Sequence, residues 1–235
     1  MKGISISENI KWVRESIAEA AIKSGRDPSD ITLVAASKTH SADDVKEAIR
    51  CGVDAVGENR VQEMLEKHDD NAYLGAPLHF IGHLQSNKVN KIVGLCDLIE
   101  SVGSKALIET IGKRAESLGI VQNVLIEVNV GKEQTKSGIM IEETEGILEY
   151  ASRINGVKVV GLMAIPPILD KNNELCYYFD TMYKLFVDMC GKKYDNNSMQ
   201  FLSMGMSDSY IDAIRTGANM VRIGSAIFGT RSYYS

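Results

Sequence analysis

Ile31-Thr32-Leu33-Val34-Ala35-Ala36-Ser37-Lys38-Thr39-His40-Ser41 decides how the rest of the chain is read. An apolar, β-compatible run ends in a lysine, a polar turn and then an amphipathic segment, the pattern of a buried strand feeding a helix. The same alternation recurs to the end. Strand-like runs fall at 31–37, 55–57, 78–82, 98–102, 123–130, 157–164, 201–204 and 220–223, with helical patterns between them at 42–50, 61–67, 87–93, 105–117, 141–153, 173–190 and 209–215. A further helix precedes the first strand. Ser7 can cap it, Ile10, Val13, Ile17, Ala20 and Ala21 form its apolar stripe, and Gly25 followed by Pro28 stops it. Most connections carry no hairpin signal, so the strands are expected to be parallel with right-handed crossovers, closing as an α/β fold of the (β/α)8 TIM-barrel type. An open doubly wound sheet is the alternative.

No Pro-, Gly- or Ser-rich linker divides the 235 residues, and a single domain over 1–235 is expected. The chain is 44% hydrophobic and 24% charged with a net charge of -5, which gives no electrostatic reason to expect nucleic acid or an anionic membrane as partner. Cys51, Cys96, Cys176 and Cys190 are scattered, with no C-x-x-C pair, and are expected as reduced thiols in a cytoplasmic protein. The first dozen residues lack the apolar core of a secretory signal, and the run Val159–Leu169 is too short to span a bilayer and contains Pro166 and Pro167.

In a barrel the chemistry gathers where strands end. Lys38 stands at such an end, as do Glu58 and Asn59, His83 and Gln85, Asn129, Met163, Ser203 and Gly205, and Arg222 to Ser225. A lysine stripped of water there is a Schiff-base former, although a lysine that merely closes a strand is the plainer reading of this segment alone. The last two strands end in Ser203-Met204-Gly205-Met206-Ser207 and in Arg222-Ile223-Gly224-Ser225, each offering glycine and hydroxyl before a helix. Backbone N–H groups at such turns cradle anions, and the loops after strands seven and eight hold phosphate in many barrels. A phosphorylated aldehyde bound across the barrel mouth follows, and pyridoxal 5′-phosphate meets that description. Arg222 would then face the pyridine nitrogen, disfavour its protonation and weaken the ring as an electron sink; pairing with a carboxylate inside the barrel is its competing role. His79 and His83 have the spacing of a helical metal pair, but a strand through Phe80-Ile81 supplies no third ligand, so no metal is expected. Glu58 reads either as a general base or as an ion-pair partner for Arg60 or Arg222, and Lys136 as a solvated loop lysine.

The segments Ala36-Ser37-Lys38-Thr39, Gly57-Glu58-Asn59-Arg60-Val61-Gln62-Glu63, His79 to Lys88, Gly161-Leu162-Met163-Ala164, Leu202 to Ser207 and Val221-Arg222-Ile223-Gly224 resemble, in order and nearly end to end, the pyridoxal-phosphate homeostasis protein family (YggS/PROSC). The resemblance implies an alanine-racemase-like barrel (PLP fold type III) with the extra N-terminal helix, carrying the cofactor on Lys38. It implies Arg222 at the pyridine nitrogen, Ser203, Gly205, Gly224 and Ser225 at the phosphate, and Asn59, His83 and Met163 lining the pocket. Ser225 stands where the family often has threonine, which keeps a hydroxyl, and the loop near Gly103 lacks the family's frequent aspartate.

Alanine racemases add a β domain that supplies a tyrosine base, and the chain stops at Ser235, soon after the eighth strand. The expectation is therefore a monomeric protein that binds pyridoxal phosphate without efficient turnover and releases or delivers it to apoenzymes. A racemase-type enzyme acting on amino acids is the alternative, with a phosphosugar-handling barrel behind it.

Overall fold

The computed structural model describes residues 5–133, 136–167, 174–192 and 194–229. Among them, eight strands form one closed parallel barrel in the order of the chain: β1 (Thr32–Ala36), β2 (Ala55–Glu58), β3 (Leu78–Phe80), β4 (Leu98–Val102), β5 (Gln122–Glu127), β6 (Val157–Met163), β7 (Phe201–Ser203) and β8 (Met220–Ile223). The helices are α1 (Ile6–Lys23), α2 (Ala42–Arg50), α3 (Val61–Asp69), α4 (Val89–Ile92), α5 (Lys105–Ser117), α6 (Thr144–Ala151), α7 (Glu174–Cys190), α8 (Tyr210–Thr216) and α9 (Ser225–Phe228). The barrel expectation holds and the open sheet is excluded, since β8 pairs directly with β1 along Thr32↔Met220 to Ala35↔Ile223.

Strand alternation sorts the apolar residues into two bodies. Val34, Ala55, Leu98, Leu125, Val160, Met163 and Met220 fill the barrel interior, while Leu33, Ala35, Val56, Ile99, Val124 and their kin face the helical layer. The residue two positions beyond an inward core residue therefore also faces inward, nearer the C-terminal mouth. That rule delivers Glu100 above Leu98, Glu127 above Leu125, Ser203 above Phe201 and Arg222 above Met220.

Several boundaries differ from the sequence expectation. The first helix is capped by Ser5, whose hydroxyl accepts from Glu8 N–H while the Glu8 carboxylate accepts from Ser5 N–H; Ser7 already lies within the helix. The expected helices over 87–93 and 141–153 both begin as a 3-10 turn, at Ser86–Lys88 and Ile141–Glu143. Asn173, where the seventh connecting helix was expected to start, lies outside the described residues. Helix α1 packs on α8 and α9, and its Asn9 donates to Ile227 O at 2.8 Å, bracing the turn after β8 from outside.

Candidate functional site

The C-terminal ends of β1, β2, β7 and β8 open into one cavity of about 460 Å³, within the roughly 300–1,000 Å³ typical of small-ligand pockets. Lys38, Asn59, Arg222, Gly224 and Ser225 line it together with His40, Ile81, Ile165, Met206, Ser207 and Asp208. Lys38 is half-buried, one step beyond inward-facing Ala36, so its side chain enters from the rim. The next residue, Thr39, has φ 67°, an uncommon conformation for a β-branched residue, and its N–H donates to Glu63 Oε2 at 2.9 Å.

The backbone before Lys38 is held from behind. Glu58 falls on the outward face of β2, and on that face it pairs with Lys67 of α3 at 2.6 Å, neither with Arg60 nor with Arg222. Arg60 pairs with Glu63 instead. The Ser37 hydroxyl and the Tyr73 hydroxyl also donate to Glu58 Oε1, and Lys67 Nζ donates to Ser37 O at 2.8 Å. Glu58 is wholly buried here and lies outside the cavity lining, which removes the general-base reading.

At the barrel axis Arg222 is 3% exposed and donates to Ser203 Oγ at 2.6 Å and to Ala164 O at 2.9 Å, with Glu100 Oε2 3.8 Å away. The Ser203 hydroxyl donates onward to Glu100 Oε2 at 2.6 Å, and Glu100 Oε1 takes a hydrogen bond with His79 Nδ1 at 2.8 Å. Burial works to raise the Glu100 carboxyl, but His79, Arg222 and Ser203 together hold it below the ordinary carboxylate range. Burial likewise pulls the Arg222 guanidinium down, opposed by Glu100 and Glu127. Arg222 thus takes the competing role weighed for it, pairing with a carboxylate inside the barrel, and it also lines the cavity.

The phosphate-type turns meet at one wall. Ser207 Oγ accepts from Gly224 N–H and Ala226 N–H, each at 3.3 Å, linking the loop after β7 to the start of α9. Gly205 has φ +92°, and a Cβ there would lie 2.6 Å from Ala213 Cβ, so only glycine lets the chain turn so tightly against α8. At Gly82 a Cβ would lie 2.0 Å from Asn59 O, which lets the end of β3 pass close under Asn59.

Not every expected residue reaches this cavity. The Ser203 hydroxyl is taken up by Arg222 and Glu100 beneath it, and Met163 is fully buried in the apolar interior. His83 is exposed, bonded to Ser137 Oγ at 2.8 Å, and lines two neighbouring compartments. His79 and His83 thus serve different partners, and no cluster of three metal-ligating side chains occurs among the described residues. His40, stacked on Phe228 with ring centroids 4.6 Å apart, and Asp208 are liners that the sequence reading passed over. Their positions directly after the ends of β1 and β7 were the available signal.

The residue set fits pyridoxal phosphate. A lysine amine, a buried guanidinium, and a wall of glycine and serine residues share one cavity, as an aldehyde, a pyridine ring and a phosphate require.

Residues 5–232 match the family described as alanine racemase, N-terminal domain. A pyridoxal phosphate homeostasis protein of Aquifex aeolicus is 42% identical over 226 residues, covering 96% of this chain and 98% of that one; its counterpart in Escherichia coli K12 is 36% identical over 97% of both. Among solved structures, PipY of Synechococcus elongatus with PLP bound superposes with a TM-score of 0.78 at 31% identity, covering 91% of this chain and all of that one. Alanine racemase of Clostridium difficile shares the fold alone, with a TM-score of 0.68 at 18% identity, and this chain spans 58% of its length. By sequence over nearly its full length and by fold, the chain belongs to the pyridoxal phosphate homeostasis protein family.

Proposed function

We propose that this protein binds pyridoxal 5′-phosphate, holds it as a Schiff base on Lys38 and releases or delivers it to apoenzymes, so serving intracellular homeostasis of the cofactor. The observation that carries the reading is the convergence of Lys38, Arg222, Ser207, Gly224 and Ser225 on one cavity. The group would supply a reactive aldehyde and an electron-withdrawing ring. Lys38 fixes it covalently, and the turn joined by Ser207 faces its phosphate with backbone N–H groups and hydroxyls. Arg222, protonated and anchored by Ser203, Glu100 and Ala164 O, would present a cation to the ring nitrogen and keep a proton off it, which favours storage over carbanion chemistry.

A homeostasis role without efficient turnover accords with the names of the relatives, and a monomer working in the cytoplasm belongs to the same reading. No helix among the described residues is long and apolar enough to cross a membrane.

The deciding test is the visible absorption spectrum of purified protein after addition of pyridoxal phosphate. The wild type should take up the cofactor and turn yellow, and Lys38→Ala should lose the covalent band. A wild type that remains colourless after dialysis against the cofactor refutes the assignment, and exchange of the α-hydrogen of bound amino acids for deuterium would favour the racemase-type alternative.

A further inference from the structure

A second cavity, of about 370 Å³, opens at the N-terminal mouth of the barrel, the end away from Lys38. Its carboxylates serve the backbone: Asp54 accepts from Leu33 N–H and pairs with Arg14, and Asp97 accepts from Leu78 N–H. His79 of β3 lines this cavity beside Leu98, Val160 and Met220 of the barrel interior and is 6% exposed. It does not line the Lys38 cavity.

The two ring nitrogens of His79 have different surroundings. Nδ1 lies 2.8 Å from Glu100 Oε1. Nε2 has no hydrogen-bond partner among the described residues and is not sealed in, so the lower cavity gives it access to solvent. Despite burial, Glu100 keeps its charge, and a carboxylate only accepts, so Nδ1 carries the hydrogen. His79 Nδ1–H and the Ser203 hydroxyl then donate to the two oxygens of Glu100, and Arg222 donates to Ser203 Oγ at 2.6 Å. Side chains from β3, β4, β7 and β8 thus join the floor of the barrel to the guanidinium that lines the Lys38 cavity.

Glu100 has two ionisable partners within 4 Å, His79 at 2.8 Å and Arg222 at 3.8 Å. While His79 answers Oε1, the guanidinium reaches Glu100 through Ser203 and stays level with the cavity. Without that donor, Oε1 becomes a buried charged acceptor with no partner, and the cation within reach is Arg222.

We propose that His79 is a positioning residue for the cofactor, holding Arg222 at the height of the ring by answering Glu100 from the opposite mouth of the barrel. The inference deepens the proposed function and rests on Arg222 facing the pyridine nitrogen. Loss of the Nδ1–H lets Glu100 draw the guanidinium down and away from the ring. Cofactor affinity then falls although His79 touches neither the cofactor nor its cavity.

Two substitutions of similar polarity separate this role from simple filling. His79→Asn sets an amide N–H where Nδ1 stands, whereas His79→Gln is nearer to histidine in size but carries its amide beyond that point. Titration with pyridoxal phosphate, read by the visible band, should leave His79→Asn within about twofold of wild type and His79→Gln about tenfold weaker, as one lost hydrogen bond to a charged group implies. In cofactor-free protein, the nitrogen-15 signals of the Arg222 side chain should shift more in His79→Gln than in His79→Asn. The inference is overturned if His79→Gln binds the cofactor as well as or better than His79→Asn, the order that filling alone gives, or if the Arg222 signals are alike in all three proteins. Imidazole nitrogen-15 spectra of wild type should show the hydrogen on Nδ1, and a bare Nδ1 sinks the inference; with the affinity of His79→Asn they decide the matter if His79→Gln does not fold. Should the protein take up no pyridoxal phosphate, the Lys38 reading fails on its own, and the Arg222 signals still decide whether His79 governs the guanidinium.

Discussion

Glu100 and Glu127 sit on adjacent strands, each two residues beyond an inward leucine, and both lie in the field of Arg222, yet they are opposites. Glu100 is fully buried and answered by His79, Ser203 and Arg222, so its charge is held despite desolvation. Glu127 has one oxygen buried without a partner, and desolvation pushes its carboxyl up against the weaker pull of Arg222. Identical side chains on one barrel face thus differ in how their charge is balanced, according to whether the protein itself supplies the donors. A carboxylate answered by internal donors keeps its charge inside the barrel, whereas one without them is pushed by desolvation towards its protonated form.

The strongest way to break this comparison is Glu100→Ala. It removes the stronger counter-charge of the buried Arg222 cation and leaves only the through-space field of Glu127, and a loss of about 3–5 kcal/mol of unfolding free energy is expected in urea titrations. A loss no greater than that of an average surface substitution would show that Arg222 is not balanced by Glu100. Ser203→Ala is the intermediate case. It removes the hydroxyl that accepts from Arg222 and donates to Glu100, and about 1.5–3 kcal/mol should be lost, accompanied by a weaker grip on the cofactor if Arg222 shifts.

Glu127→Gln should move the other way by the smallest amount. Because burial raises the folded-state value, the folded protein binds the proton more tightly than the unfolded chain, and Glu127 costs stability as pH rises from the ordinary carboxylate value through the raised one. The variant should therefore be the more stable protein near neutral pH, with the gain vanishing in acid below the ordinary carboxylate range. Glu100 runs in reverse: its contribution is present above the ordinary carboxylate value and is lost as pH falls through its depressed one. Thermal melts of wild type and Glu127→Gln from acid to neutral pH separate the two; a constant difference at every pH would contradict the assignment to Glu127.

The barrel was legible because its strands are buried on both faces and read as continuous apolar runs, bounded by capping serines such as Ser41 and Ser104. Lys38, Asn59, Arg222, Gly224 and Ser225 were found for the related reason that strand ends mark the rim of such a barrel. What sequence could not provide is pairing. Ser203 and Glu100 are 103 residues apart, and Lys67 reaches Ser37 across 30, so nothing local announces either contact. Glu58 went astray because one residue of register decides between cavity and outer face, and it falls on the opposite side from Asn59. Glu100 left a faint trace, a charge in the middle of the otherwise strand-like 98–102 run. Reading Ser7 as the helix cap overlooks Glu8, which lies three residues after Ser5 and completes the capping-box pattern there.

The attachments around Lys38 carry a consequence for how the site opens. Ser37 is bound through both its carbonyl and its hydroxyl to the Lys67–Glu58 pair, and Thr39 N–H is bound to Glu63, so the residues on either side of Lys38 are moored to α3 or to the strand beneath it. Lys38 consequently belongs to the same cooperative unit as α3, and the backbone that bears the reactive amine loosens only when that helix loosens. Ligand exchange at the rim can then proceed by side-chain motion alone, while the segment that carries the covalent link keeps the stability of the barrel wall.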